Sequence, residues 1–90
     1  MKRRSQDVID VEKMENIKSV PTDGAIHDVY VTPDGKYLWS TSKVYSSVYI
    51  HSLPDLEKVG RVQVGQHPEW DTFTPDSKTG YIGTVFMQQD

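Results

Sequence analysis

The sequence predicts an all-β fold made of repeated four-stranded antiparallel units. Three observations carry that expectation: a turn motif that returns after 42 residues, strand-like patterning on either side of each turn, and no stretch with helical spacing. Thr32-Pro33-Asp34-Gly35-Lys36 returns as Thr74-Pro75-Asp76-Ser77-Lys78, with Val31 answered by Phe73 before the turn and Trp39 by Tyr81 after it. Four short antiparallel strands in a repeat of this length make one blade of a β-propeller. The expected fold is therefore a β-propeller fragment, one complete four-stranded blade flanked by two partial blades.

Along the chain, Val8-Ile9-Asp10-Val11 and Met14-Glu15-Asn16-Ile17 read as the last two strands of a preceding blade. They echo Tyr49-Ile50-His51-Ser52 and Leu56-Glu57-Lys58-Val59, with a one-residue loop difference between the two blocks. Residues 26–32 form the next strand, with Val29 and Val31 alternating, and run into a turn where proline presets φ and glycine accepts positive φ. Residues 37–42 return as a second strand. Residues 46–53, rich in β-branched and aromatic side chains, give a third, and Leu53-Pro54-Asp55 turns the chain into a fourth over residues 57–64. The division expected is a tail and two strands in residues 1–25, a complete blade in 26–66, and the first two strands of another in 67–90. That phase leaves strand edges unpaired at both ends, so the chain reads as a piece of a larger protein.

Composition narrows the function classes. With 36% hydrophobic and 26% charged residues the 90-residue chain falls near the globular range, and its net charge of -3 offers no basic field for nucleic acid. Lys2-Arg3-Arg4 is the one basic run, and it is followed by Asp7 and Asp10 where a signal peptide needs an apolar stretch. A frayed, solvated terminus is the expectation there. No apolar run approaches the roughly 20 residues that cross a bilayer. The absence of cysteine removes disulfides, thiolate catalysis and cysteine-based zinc sites from this chain.

Several segments taken in order resemble the YVTN β-propeller repeat. They are Val8-Ile9-Asp10, Val62-Gln63-Val64-Gly65, Ile26-His27-Asp28, Thr32-Pro33-Asp34-Gly35-Lys36 and Leu38-Trp39-Ser40-Thr41-Ser42. The chain departs from that pattern at Ser77 in place of the turn glycine, Gly80 in place of leucine, and Glu69 in place of the leading histidine. The resemblance implies a propeller exported to the periplasm or cell surface.

The loops that lead into the inner strands are where a propeller builds a central site. Here these are Ala25-Ile26-His27-Asp28 and Gln66-His67-Pro68-Glu69-Trp70-Asp71. His27, His67 and Glu69 are the candidate metal ligands or acid–base groups, because imidazole and carboxylate from adjacent blades converge at such a channel mouth. The competing reading makes His27 a structural loop residue that hydrogen-bonds the backbone. Asp34 and Asp76 occupy turn positions that favour aspartate for local bonding. Trp39 and Tyr81 are expected to pack between blades, Trp70 to be buried against a neighbour, and the Tyr45–Tyr49 stretch to be an ordinary strand.

The functional expectation is a noncatalytic binding or scaffold module at the cell envelope. Its partners are the remaining blades and a protein or small-molecule ligand at the channel mouth, not nucleic acid. The alternative is a propeller enzyme, a copper or haem redox enzyme or a lactonase-like hydrolase, to which these blades contribute ligands. No cofactor follows from the residues themselves.

Overall fold

The computed structural model describes residues 5–22, 26–43 and 45–84. Ala25 and the Lys2-Arg3-Arg4 run lie outside the described residues. Every described element is a strand: β1 (Ser5–Asp10), β2 (Glu15–Pro21), β3 (Asp28–Val31), β4 (Tyr37–Ser42), β5 (Ser47–Ser52), β6 (Lys58–Gln63), β7 (Pro68–Phe73) and β8 (Gly80–Thr84). They form three antiparallel sheets in sequence order, a β1-β2 pair, a four-stranded β3-β4-β5-β6 meander and a β7-β8 pair. The architecture is all-β, as expected, and consistent with a propeller fragment.

The two Thr-Pro-Asp turns superpose bond for bond. Thr32 donates its hydroxyl to Asp34 at 2.7 Å and Thr74 to Asp76 at 2.6 Å. The same aspartates accept the backbone N–H of Lys36 at 3.0 Å and of Lys78 at 3.1 Å. A tight turn then needs a left-handed residue, supplied by Gly35 at φ 74° and by Ser77 at φ 63°. Serine tolerates this conformation less readily than glycine, and here its hydroxyl has a use, because it accepts the backbone N–H of Asp34 at 2.9 Å. That bond ties the turn of one sheet to the turn of the next.

The offset of 42 residues also holds upstream, which corrects the sequence alignment. Met14 and Leu56 both have left-handed backbones, at φ 54° and 58°. Their N–H groups donate to equivalent carbonyls, Asp10 at 2.7 Å and Ser52 at 2.8 Å. The bulge between Val8 and Ile9 answers the one between Ile50 and His51. Val8 is thus the counterpart of Ile50, not of Tyr49, and no one-residue loop difference exists. The apolar Val8-Ile9 step matches Tyr49-Ile50 better by composition, and a one-residue slip along a strand exchanges its two faces.

Cross-strand partners share a face, so the register sorts the central sheet into two sides. One side carries Val29, Val31, Ser40, Tyr49 and His51, and the β1-β2 pair covers its outer half. From β4, Ser40 donates its buried hydroxyl to Gln6 Oε1 at 2.8 Å, and Lys18 donates to the Asp55 carbonyl at 2.8 Å. The other side carries Tyr30, Trp39, Thr41, Val48 and Ile50, and the β7-β8 pair packs over its inner half. Trp39 meets Phe73 edge to face, with centroids 5.0 Å apart and planes at 89°.

Gly80 explains how the two repeats approach. A Cβ at that position would stand 2.6 Å from two indole carbons of Trp39 and 3.2 Å from the Phe73 ring. The glycine that stands where the first copy has Leu38 is therefore the residue that admits the tryptophan. Trp39 packs between sheets as expected. Tyr81, its counterpart 42 residues on, is 61% exposed, because it projects from the side of β8 that faces away from the central sheet. Trp70 departs from expectation for the same reason, lying exposed along Gly83 of its own hairpin.

Gly80→Ala should lower stability by about 1–3 kcal/mol, since the added Cβ would stand 2.6 Å from the indole and displace it from its edge-to-face contact with Phe73. Paired with Trp39→Leu the loss should shrink, a coupling that a double-mutant cycle of urea melts would read.

The turns also predict an acid response. Asp34 is held below its ordinary pKa by the Lys36 N–H and then the Thr32 hydroxyl, and Asp76 by the Thr74 hydroxyl and then the Lys78 N–H. A depressed carboxylate adds stability that is complete above the ordinary value of about 4 and lost as pH falls through the lowered one. NMR titration should give both aspartates midpoints below the ordinary aspartate value. Thr32→Val and Thr74→Val should each move the local midpoint back up.

Candidate functional site

β3 and β7 start side by side at one end of the molecule, and their leading residues meet. His27 remains in the ladder beyond β3, donating its backbone N–H to the Thr41 carbonyl at 2.8 Å. This holds the imidazole at the rim of the central sheet. Its Nδ1 lies 2.7 Å from Asp28 Oδ2. Glu69 reaches the same place from the other sheet by standing at the register shift between Pro68 and Trp70. A bulge re-aims one side chain out of the regular alternation, which turns Glu69 toward the seam. Donor atoms of His27, Asp28 and Glu69 all lie within 4.8 Å of one another. Lys43 approaches Glu69 Oε2 at 3.4 Å from the far end of β4.

Of the three residues singled out from sequence, His27 and Glu69 are brought together and His67 is not. His67 is exposed and left-handed at φ 52°, at the turn into β7, outside this cluster. Asp28 takes the third place. The sequence contained a signal for it, because it follows His27 directly at the start of the first inner strand.

Asp71 was missed altogether. It sits on β7 in the alternation with Phe73, facing the central sheet, and is only 7% exposed. Neither of its carboxylate oxygens has a hydrogen-bond partner among the described residues. Desolvation pushes its pKa up to about 6, with the Asp28 charge adding to the effect. Tyr30, whose hydroxyl points at the Glu69 carbonyl at 3.5 Å, is raised above its ordinary value by desolvation and then by Asp28 and Asp71. Period-two alternation alone places Asp71 with Phe73 on the inward face, so strand phase was the signal available.

A second buried ionisable group lies elsewhere. His51, on the side of the central sheet covered by β1-β2, borders a cavity of about 90 Å³ lined by Pro21, Thr22, Tyr49 and Lys58. Burial, then the Lys58 charge, lowers its pKa below the ordinary histidine value.

The comparisons with known proteins add a fold relation. No family model matches the chain, and no curated protein matches it. Among solved structures it is similar to hydrazine synthase from Kuenenia stuttgartiensis, with a TM-score of 0.83 over 90% of this chain and 23% sequence identity. The chain spans 23% of the length of that one. At this identity the likeness is one of fold. No helix among the described residues is long and apolar enough to cross a membrane.

Asp71→Asn, in metal-free buffer at neutral pH, should raise stability by about 1–2 kcal/mol, because the substitution removes a desolvated charge while keeping the side-chain shape. Urea denaturation of the two proteins side by side would measure it.

Proposed function

We propose that the chain supplies blades to a larger YVTN-type β-propeller. In this reading it acts as a noncatalytic binding scaffold that engages its ligand at the end where β3 and β7 begin. The observation that carries this is the unequal cover of the central sheet. On one side the inner strand β3 is bare, with Val29 and Val31 both half-exposed. On the other the outer half is bare, with Val59 and Val62 half-exposed beside an apolar groove of about 180 Å³ lined by Trp39, Val48, Ile50, Val64 and Ile82. Among the described residues the buried hydrophobic side chains are few, namely Val20, Val48 and Tyr49. A sheet so incompletely covered depends on neighbours of its own kind, as repeat architectures do.

A scaffold role suits the residues gathered at the ligand-facing end, a histidine, two acids and a lysine. The envelope location follows from the YVTN resemblance alone. It calls for no membrane-spanning helix.

In isolation the chain should associate through its bare faces in a concentration-dependent way, and Val59→Lys combined with Val62→Lys should shift it toward monomer. Sedimentation velocity over a hundredfold range of concentration decides this. A wild-type monomer with a cooperative melt at high temperature would sink the propeller-blade reading.

A further inference from the structure

The seam between β3 and β7 combines two independent features: three metal-ligating side chains within 4.8 Å of one another, and a buried carboxylate with no partner on the same seam. We propose that it binds one divalent ion of the zinc class through His27, Asp28 and Glu69, with Asp71 supplying a fourth, inner carboxylate. This deepens the proposed function and rests on its assignment of the ligand-facing end.

The charge balance favours a cation. Among the described residues, Asp28, Glu69 and Asp71 set three carboxylates against the one ammonium of Lys43, which approaches Glu69 at 3.4 Å. A buried carboxylate is ordinarily paired, hydrogen-bonded or metal-bound, and Asp71, at 7% exposure, is neither paired nor hydrogen-bonded. Strand register aims it at the central sheet, on the side that carries Asp28 and Tyr30. A dication between the two sheets would satisfy Asp71 and neutralise its neighbours at once.

The donor chemistry selects the ion. One imidazole with carboxylates, and no thiolate, suits a borderline divalent ion such as zinc and not a soft one such as copper(I). Zinc holds nitrogen and oxygen donors at about 2.0–2.2 Å, which sets neighbouring donors roughly 3–4 Å apart. His27, Asp28 and Glu69 therefore need to close by about 1–2 Å at most, within the reach of side-chain rotation. Their backbones belong to different sheets, so the ion would cross-link the seam.

The test is titration of the 90-residue chain with zinc chloride, read by calorimetry and by thermal melting. The variants are His27→Ala, Glu69→Gln, Asp71→Asn and His67→Ala. One zinc per chain should bind and raise the melting temperature, because a ligand held only by the folded state stabilises it. His27→Ala and Glu69→Gln should each weaken binding about tenfold or more, and Asp71→Asn should weaken it while raising the zinc-free melting temperature. His67→Ala, which removes a histidine outside the cluster, should leave both readouts at the wild-type values.

The site is overturned if zinc produces no shift, or if His27→Ala or Glu69→Gln shifts as wild type does. Loss of binding in His67→Ala would equally overturn it, by moving the ion to the turn into β7. Unchanged affinity in Asp71→Asn would remove the inner carboxylate and with it the proposed four-donor site. The sedimentation experiment on the bare faces is independent of zinc, so failure of the metal site and failure of the propeller-blade reading are told apart.

Discussion

The edge of the Trp39 indole occupies the space where a side chain at position 80 would stand, and the approach of the β7-β8 pair to the central sheet depends on that space being open. Glycine supplies it, and Phe73 closes over the ring edge to face. With the sheets at this spacing, the Asp34 N–H reaches the Ser77 hydroxyl at one end of the strands. At the other end His27 and Asp28 meet Glu69. A wider seam would forfeit the contacts at both ends.

The two seams of the central sheet rest on different physics. Against β1-β2 the buried layer is polar and small-grained, with Ser40, Ser42, Ser47, His51 and Gln6 around Tyr49. A hydrogen bond such as that from Ser40 to Gln6 adds only about 1 kcal/mol net, so this layer contributes specificity of register more than cohesion. Against β7-β8 the contact is aromatic and aliphatic, where burial itself is the driving force. Asp71 interrupts that apolar layer, which is why its lack of a partner matters.

Much of this fold was legible in the sequence because its signals are local. The Thr-Pro-Asp turn specifies its own hydrogen bonds within a few residues, so its repetition set the period and the strand phase downstream of it. Upstream, where no such turn anchors the comparison, apolar similarity aligned Val8 one residue off, and only the paired left-handed residues Met14 and Leu56 restore the register. The meeting of His27 with Glu69 was legible for the same reason, since both occupy one position in the repeat. Asp28 and Asp71 were not, because their importance arises between sheets. Nothing local to Asp71 says that the surface facing it will offer no donor. Exposure of Tyr81 and Trp70 likewise depends on which face has a neighbour, a property that no single repeat encodes.

Gly80 and Ser77 carry a lesson for anyone who would build an idealised array from this repeat. Averaging the two copies would write leucine at position 80, after Leu38, and glycine at 77, after Gly35. Each choice improves the unit taken alone, by strand propensity in one case and turn geometry in the other. Each also erases what makes the units differ, the opening for the indole and the hydroxyl that bonds to the neighbouring turn. A consensus array of this kind would have better hairpins and poorer junctions, so its interfaces would have to be designed as pairs of adjacent units.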